Sequence, residues 1–157
     1  MKKSLALLLS FCMLFSLLPI SALAYDDTVA TLGEEKFTTL QAAIVYAIDN
    51  DVSLVTLQKG TNEHIVVKGT GDKVPDSTHP LEIDLNGKTL DGGSAVVDDG
   101  TMVTIPTDAY VSIHDGTIMG GVGTNGTPRT GGGLIIHGTA TLVNVTITGN
   151  RTSSWRR

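Results

Sequence analysis

The chain has 157 residues, of which 41% are hydrophobic and 4% aromatic, with 16 acidic and 11 basic side chains and a formal charge of −5. This length suits one domain, and the acidic balance without a basic stripe argues against a partner that is nucleic acid or anionic lipid. Abundant glycine, threonine and β-branched residues favour short strands and tight turns over a helical bundle.

Residues 1–24 have the pattern of a secretory signal peptide. Two lysines precede an apolar run over residues 5–20, and small residues follow up to Ala24. The run is shorter than the roughly 20 apolar residues of a membrane-spanning helix. We predict cleavage between Ala24 and Tyr25, a secreted or cell-surface protein, and no transmembrane anchor in the mature chain.

Cleavage at this point would change the composition of the chain. The mature part would keep nine basic and sixteen acidic side chains, a formal charge of −7. It would lose Cys12, which is the only cysteine, so its fold would not depend on disulfides.

Residues 25–60 are predicted to form an entry segment of a hairpin, a helix and a first strand. The hairpin falls within residues 29–37, where glycine supplies the turn. Thr38 and Gln41 have the spacing of a capping box at the start of the helix, and Asn50 follows its end. One apolar stripe defines the helix: Leu40, Ala43, Ile44, Ala47 and Ile48. We expect this helix to cap the open end of a strand stack; an ordinary crossover helix is the alternative.

Three similar stretches follow, at residues 83–93, 111–121 and 142–150. Their apolar anchors recur at spacings of 28 and 29 residues: Leu90, Ile118 and Ile147, and in the same way Leu85, Ile113 and Leu142. A period of this length is typical of units that bury their apolar faces by stacking on one another. We expect strands that pair in parallel with their counterparts, separated by turns such as Asn86-Gly87.

The sequences FTTLQAAIVYAIDND, LEIDLNGKTLDGG, VSIHDGTIMGG and GGGLIIHGTATLVNVTITGN resemble right-handed parallel β-helix proteins of the pectate-lyase-like superfamily. They are most similar to the N-terminal part of large exported bacterial surface proteins. The resemblance covers residues 29–150. It implies an all-β fold, a right-handed parallel β-helix (solenoid) of three to four coils over residues 61–150, preceded by the N-terminal amphipathic capping helix and the signal peptide.

The resemblance does not fix an activity, because such folds carry many functions. Glycan hydrolysis needs two carboxylates across the scissile bond, and Asp98-Asp99 is the one adjacent pair within the repeats. A lyase needs a base beside a uronate, for which Arg129 with Asp91 and Asp115 is the candidate set. We favour the interpretation that these acids are solvated turn residues. We predict no catalytic residues.

A cation is the one cofactor that the sequence suggests. Asp98 and Asp99, with loop carbonyls, are the candidate ligands of calcium, although they lack the spacing of known calcium loops. The histidines have no zinc-ligand spacing, and we expect them to be exposed corner residues. They are His64, His79, His114 and His137.

Residues 151–157 are predicted to be an unstructured or truncated end that leaves the last strands uncovered. We therefore expect an N-terminal fragment of a larger protein, or self-association through the open C-terminal edge. Two functions follow. The first is an exported, non-catalytic scaffold or adhesin-like surface module that binds carbohydrate or a host or cell-surface protein. The alternative is the N-terminal fragment of a pectate-lyase-like polysaccharide lyase or glycoside hydrolase.

Overall fold

The structure is a computed structural model that describes residues 26–93, 100–123 and 131–152. The predicted signal peptide and its cleavage site at Ala24 and Tyr25 lie outside these residues. Twelve strands and one α-helix are described: β1 (Ala30–Leu32), β2 (Glu35–Phe37), α1 (Leu40–Asp49), β3 (Leu54–Leu57), β4 (Ile65–Val66), β5 (Leu81–Asp84), β6 (Thr89–Asp91), β7 (Val103–Ile105), β8 (Tyr110–Met119), β9 (Val122–Gly123), β10 (Leu134–Ile136), β11 (Thr139–Thr148) and β12 (Arg151–Thr152). A 3-10 turn, Thr70–Asp72, lies between β4 and β5.

The largest sheet has seven strands in the order β11-β8-β5-β3-β1-β2, with β6 also beside β8. Its pairs from β3 to β11 are parallel, whereas β1 is antiparallel to both β2 and β3. A second sheet has the order β10-β7-β4 and a third pairs β12 with β9, all in parallel.

The predicted fold class, an all-β right-handed parallel β-helix, is wrong. The fold is mixed α/β, and its largest sheet mixes parallel and antiparallel pairs. The physical reason lies in the entry segment. Its hairpin enters the sheet against the direction of β3, with Ala30 opposite Leu57, and α1 packs into the same core.

The predicted helix is present, and all five residues of its apolar stripe are buried. Its predicted capping box is wrong. The N-cap is Thr39, which accepts a hydrogen bond from the backbone N–H of Ala42, and the side chain of Gln41 exchanges two hydrogen bonds with the backbone of Val66 in β4. Glu63, which lies just before β4 in the chain, accepts hydrogen bonds from the backbone N–H groups of Leu40 and Gln41 at the start of the helix.

The parallel strands align apolar side chains in columns across the sheet. One column contains Leu90, Ile118 and Ile147, as the sequence predicted. The other contains Val55, Ile83, Ile113 and Leu142, so Ile83 takes the position predicted for Leu85. The reason is a longer connection: four residues separate Asp84 from Thr89, but only two separate their partners in β8.

Candidate functional site

Strand β11 is the last strand of the largest sheet, and in the described part of the chain it pairs on one side only, with β8. In the neighbouring strand β8, Ile113 and Ile118 are fully buried. Their partners in β11, Leu142 and Ile147, are 38% and 46% exposed, and Val143 is 47% exposed. The hydrophobic columns therefore continue to the surface at this edge.

The chemistry of this edge suits strand pairing. Its ten residues, TATLVNVTIT, include no charged side chain and no proline, which are two of the features that protect an edge strand from other chains. Strand β10, which ends the second sheet, exposes Ile136 to 45%. Backbone groups and apolar side chains are thus available together.

A second cluster lies on the solvent face of the sheet, around His114. Asp84 pairs in register with His114, and Glu82 precedes Asp84 by two residues, so their side chains leave the same face of β5. Asp115 follows His114 with a positive φ of 58°, a bend that carries its carboxylate to the imidazole. Three carboxylates therefore surround one imidazole.

The contacts of this cluster use both ring nitrogens. Nδ1 of His114 lies 2.9 Å from Asp115 Oδ2 and 3.6 Å from Asp84 Oδ1, and Nε2 lies 2.7 Å from Glu82 Oε1. That last contact is a close ion pair without hydrogen-bond alignment, because Nε2 is buried and makes no hydrogen bond. Asn144 donates to Asp115 Oδ1 at 3.0 Å.

These contacts shift the proton affinities of the cluster. The hydrogen bond with Asp115, and then the charges of Asp84 and Glu82, raise the pKa of His114 against the opposing effect of burial. Hydrogen bonds from His114 and Asn144 lower the pKa of Asp115. Both shifts share one cause, the His114–Asp115 contact, in which the protonated imidazole and the ionised carboxylate stabilise each other.

The cluster also has the donors of a metal site. Ligand atoms of Asp84, His114 and Asp115 all lie within 4.8 Å of one another. One imidazole nitrogen with two carboxylates is a donor set that divalent first-row ions accept. The expectation that His114 is an exposed corner residue is wrong, because its side chain is 18% exposed and is enclosed by acids.

The other sequence-predicted residues are not brought to this cluster. Asp98, Asp99 and Arg129 lie outside the described residues, so the calcium and uronate hypotheses stay untested there. Asp91 pairs with Met119, four residues beyond Asp115 on β8, which is about 13 Å along the strand. Its carboxylate accepts a hydrogen bond from the backbone N–H of Gly93.

The remaining histidines have local roles. Nδ1 of His64 lies 3.0 Å from the carbonyl oxygen of Thr101, and His79 contacts Asp76 within its own loop. The backbone N–H of His137 donates to the carbonyl oxygen of Ile105.

Glu82 and Asp84 were not predicted as site residues, because the repeat pattern aligned Leu85 with Ile113. Alignment of Ile83, instead of Leu85, with Ile113 is a shift of two residues that keeps the apolar alternation. It would have placed Asp84 beside His114.

The fold and its two surface features define a mixed α/β domain with a one-sided parallel sheet edge and a histidine–carboxylate cluster. Comparison of the chain with protein-family models, curated proteins and solved structures gave no match. The resemblance to the pectate-lyase-like superfamily stays a prediction. In the described ranges, no helix has the length and hydropathy needed to cross a membrane.

Proposed function

We propose that this protein is an exported, non-catalytic surface module that self-associates through β11. One observation carries the proposal: β11 is a ten-residue, charge-free strand that, among the described residues, pairs on one side and leaves Leu142, Val143 and Ile147 between 38% and 47% exposed. Such an edge is a template for another strand.

The distribution of charge leaves β11 as a place where two copies can meet. The chain has an excess of acidic side chains, which makes two copies repel each other over most of their surfaces. Strand β11 has no charge, so two such edges meet without placing like charges opposite each other. A two-fold axis would make the two strands antiparallel, and each would pair the backbone groups that the other leaves open.

Burial of apolar side chains also favours strand pairing at β11. Leu142 and Ile147 end the two hydrophobic columns of the sheet, and an added strand would cover them as β11 covers Ile113 and Ile118. Burial of such side chains stabilises by about 25 cal/mol per Å² of apolar surface. Ile136 at the end of the second sheet would extend the contact.

Export and surface location are the other parts of the proposal. They rest on the leader pattern of residues 1–24 and on the acidic, cysteine-free remainder. A module that joins copies through backbone pairing needs no catalytic group. Its role would be to build an extended assembly or to hold neighbouring domains together.

The test measures the mass of the chain in solution. The chain is produced with its own leader in a secreting bacterial host, and its mass is followed by light scattering across a series of concentrations. Ile147→Lys places a charge on the edge, so we expect dimerisation about tenfold weaker or more. Leu54→Lys is the matched control: Leu54 is 41% exposed, but β3 is paired on both sides. It should leave the mass unchanged.

Three results would contradict the proposal. The first is a native chain that stays monomeric at every concentration. The second is equal weakening by Ile147→Lys and Leu54→Lys, because the interface would then lie elsewhere. The third is a monomer that forms a stable complex with a protein of another sequence through β11, which would identify a different occupant.

A further inference from the structure

We propose that Asp84, His114 and Asp115 form a Zn²⁺ site on the solvent face of the sheet, a proposal that does not rest on strand pairing at β11. Zinc takes imidazole nitrogen and carboxylate oxygen at about 2.0–2.2 Å, and its tetrahedral ligands therefore lie roughly 3.4 Å apart. In the cluster, His114 Nδ1 lies 2.9 Å from Asp115 Oδ2 and 3.6 Å from Asp84 Oδ1. Small side-chain rotations would bring all three donors to zinc distance, with water in a remaining position.

The charge of the cluster favours a cation. Glu82, Asp84 and Asp115 bring three negative charges to one imidazole, and the ion pairs recorded for them among the described residues are all with His114. The position above His114 on β11 is Val143, which offers no charge. A divalent ion would balance the excess that a single imidazole leaves.

Neighbouring side chains also orient two of the proposed ligands, His114 and Asp115. A metal-binding histidine usually points its other ring nitrogen at a carboxylate, which fixes the tautomer and the ring. Glu82 Oε1 lies 2.7 Å from Nε2, and its charge favours a proton on that nitrogen although the contact is not aligned as a hydrogen bond. With the proton on Nε2, the Nδ1 lone pair is left toward Asp84 and Asp115. Asn144 holds Asp115 Oδ1, which leaves Oδ2 to the ion. Glu82 and Asn144 are therefore positioning residues.

The backbone adds rigidity to two of the ligands. Asp84 Oδ1 accepts a hydrogen bond from the backbone N–H of Asn86 at 2.7 Å. Asp115 is held with positive φ between two parallel pairings of β8. Each ligand thus projects from a strand of the sheet or from a bend within one, and few torsions must be fixed when the ion binds.

The experiment titrates ZnCl₂ into the chelator-stripped chain by calorimetry, in the Ile147→Lys background that removes strand association. We expect one zinc per chain and a raised Tm that EDTA reverses. His114→Gln should weaken binding about 100-fold or more, and Glu82→Gln about tenfold. His79→Gln is the matched control, because His79 also contacts an aspartate but lies in an exposed loop. It should bind zinc like its parent.

A second variant guards against a folding defect. Asp115→Asn keeps a residue type that tolerates positive φ, so its circular dichroism and its Tm without zinc should match those of the parent. Its Tm should no longer rise with zinc. The proposal is overturned if the parent shows no saturable binding, if His114→Gln or Asp115→Asn binds normally, or if His79→Gln loses binding equally. A stoichiometry above one per chain would likewise indicate scattered surface sites only.

Discussion

Leu142 lies beside Ile113 in neighbouring parallel strands, yet Ile113 is fully buried and Leu142 is 38% exposed. The two side chains belong to the same hydrophobic column and differ in what covers them. In the sheet, Ile113 is enclosed between β5 and β11. Leu142 has no described strand beside it on the side away from β8. Within the described ranges, the hydrophobic core therefore ends at β11 without a polar boundary.

This difference predicts unequal costs for truncating the two side chains. Ile113→Ala leaves a cavity, and we expect it to lower the free energy of unfolding by about 2–5 kcal/mol. Leu142→Ala should cost about 1 kcal/mol or less in the dilute monomer, because much of its surface already contacts water. Urea denaturation at low protein concentration measures both values. Equal costs would mean that the edge is covered in the isolated chain.

Glu63 predicts a second stability effect, at the start of α1. Its two carboxylate oxygens accept hydrogen bonds from the backbone N–H groups of Leu40 and Gln41, at 2.8 and 3.0 Å. Glu63→Gln removes the charge and one acceptor, so we expect a loss of about 1–2 kcal/mol in unfolding free energy. Glu34→Gln, in the exposed turn of the hairpin, is the control and should change it by less than about 0.5 kcal/mol.

Chemical denaturation together with helical circular dichroism tests this prediction. The loss should appear as a lower denaturation midpoint with an unchanged slope, because the variant keeps its fold. Equal stabilities of the Glu63 and Glu34 variants would show that the carboxylate does not stabilise the helix terminus.

Asp76 predicts a pH dependence. A hydrogen bond from the Thr78 hydroxyl, with backbone N–H groups of His79 and Thr78, lowers the pKa of Asp76 from 3.8 to about 2. Because the folded pKa lies below the unfolded one, the stabilisation is present above about pH 4 and is lost as the pH falls through about 2. Thr78→Val removes the largest cause, so it should raise this pKa toward 3.8.

Carboxyl NMR titration of the native and Thr78→Val chains measures the shift directly. Asp26 is the internal control, since Thr28 holds its pKa at about 2 in a separate segment. The Asp26 midpoint should be the same in both chains. An unchanged Asp76 midpoint in Thr78→Val would show that the hydroxyl bond does not set this pKa.

Local patterns in the sequence were sufficient for several elements. The apolar stripe of α1 is buried as predicted, because helical spacing alone places those side chains on one face. The predicted turn residues Asn86 and Gly87 have positive φ, for which their residue types are suited. The column of Leu90, Ile118 and Ile147 followed from one repeated spacing.

Patterns that depend on distant partners were predicted less well. Gln41 was expected to cap the helix, but its side chain binds the backbone of Val66 instead. Glu63, from a different segment, accepts hydrogen bonds from the N–H groups at the start of the helix. The hairpin was recognised, but its antiparallel entry beside β3 was not, and that entry changed the fold class. A single sequence does not reveal which strand edge a hairpin meets.

The sequence by itself determined the apolar faces, the turns and the parallel recurrence of like residues, because these depend on short-range spacing and residue type. Only the tertiary structure decided the register between β5 and β8, where a connection longer by two residues moves Asp84 next to His114. That register joins Glu82, Asp84 and Asp115 around one imidazole. It is set by packing of the buried column beneath them, through Ile83 and Ile113, and not by the acids themselves.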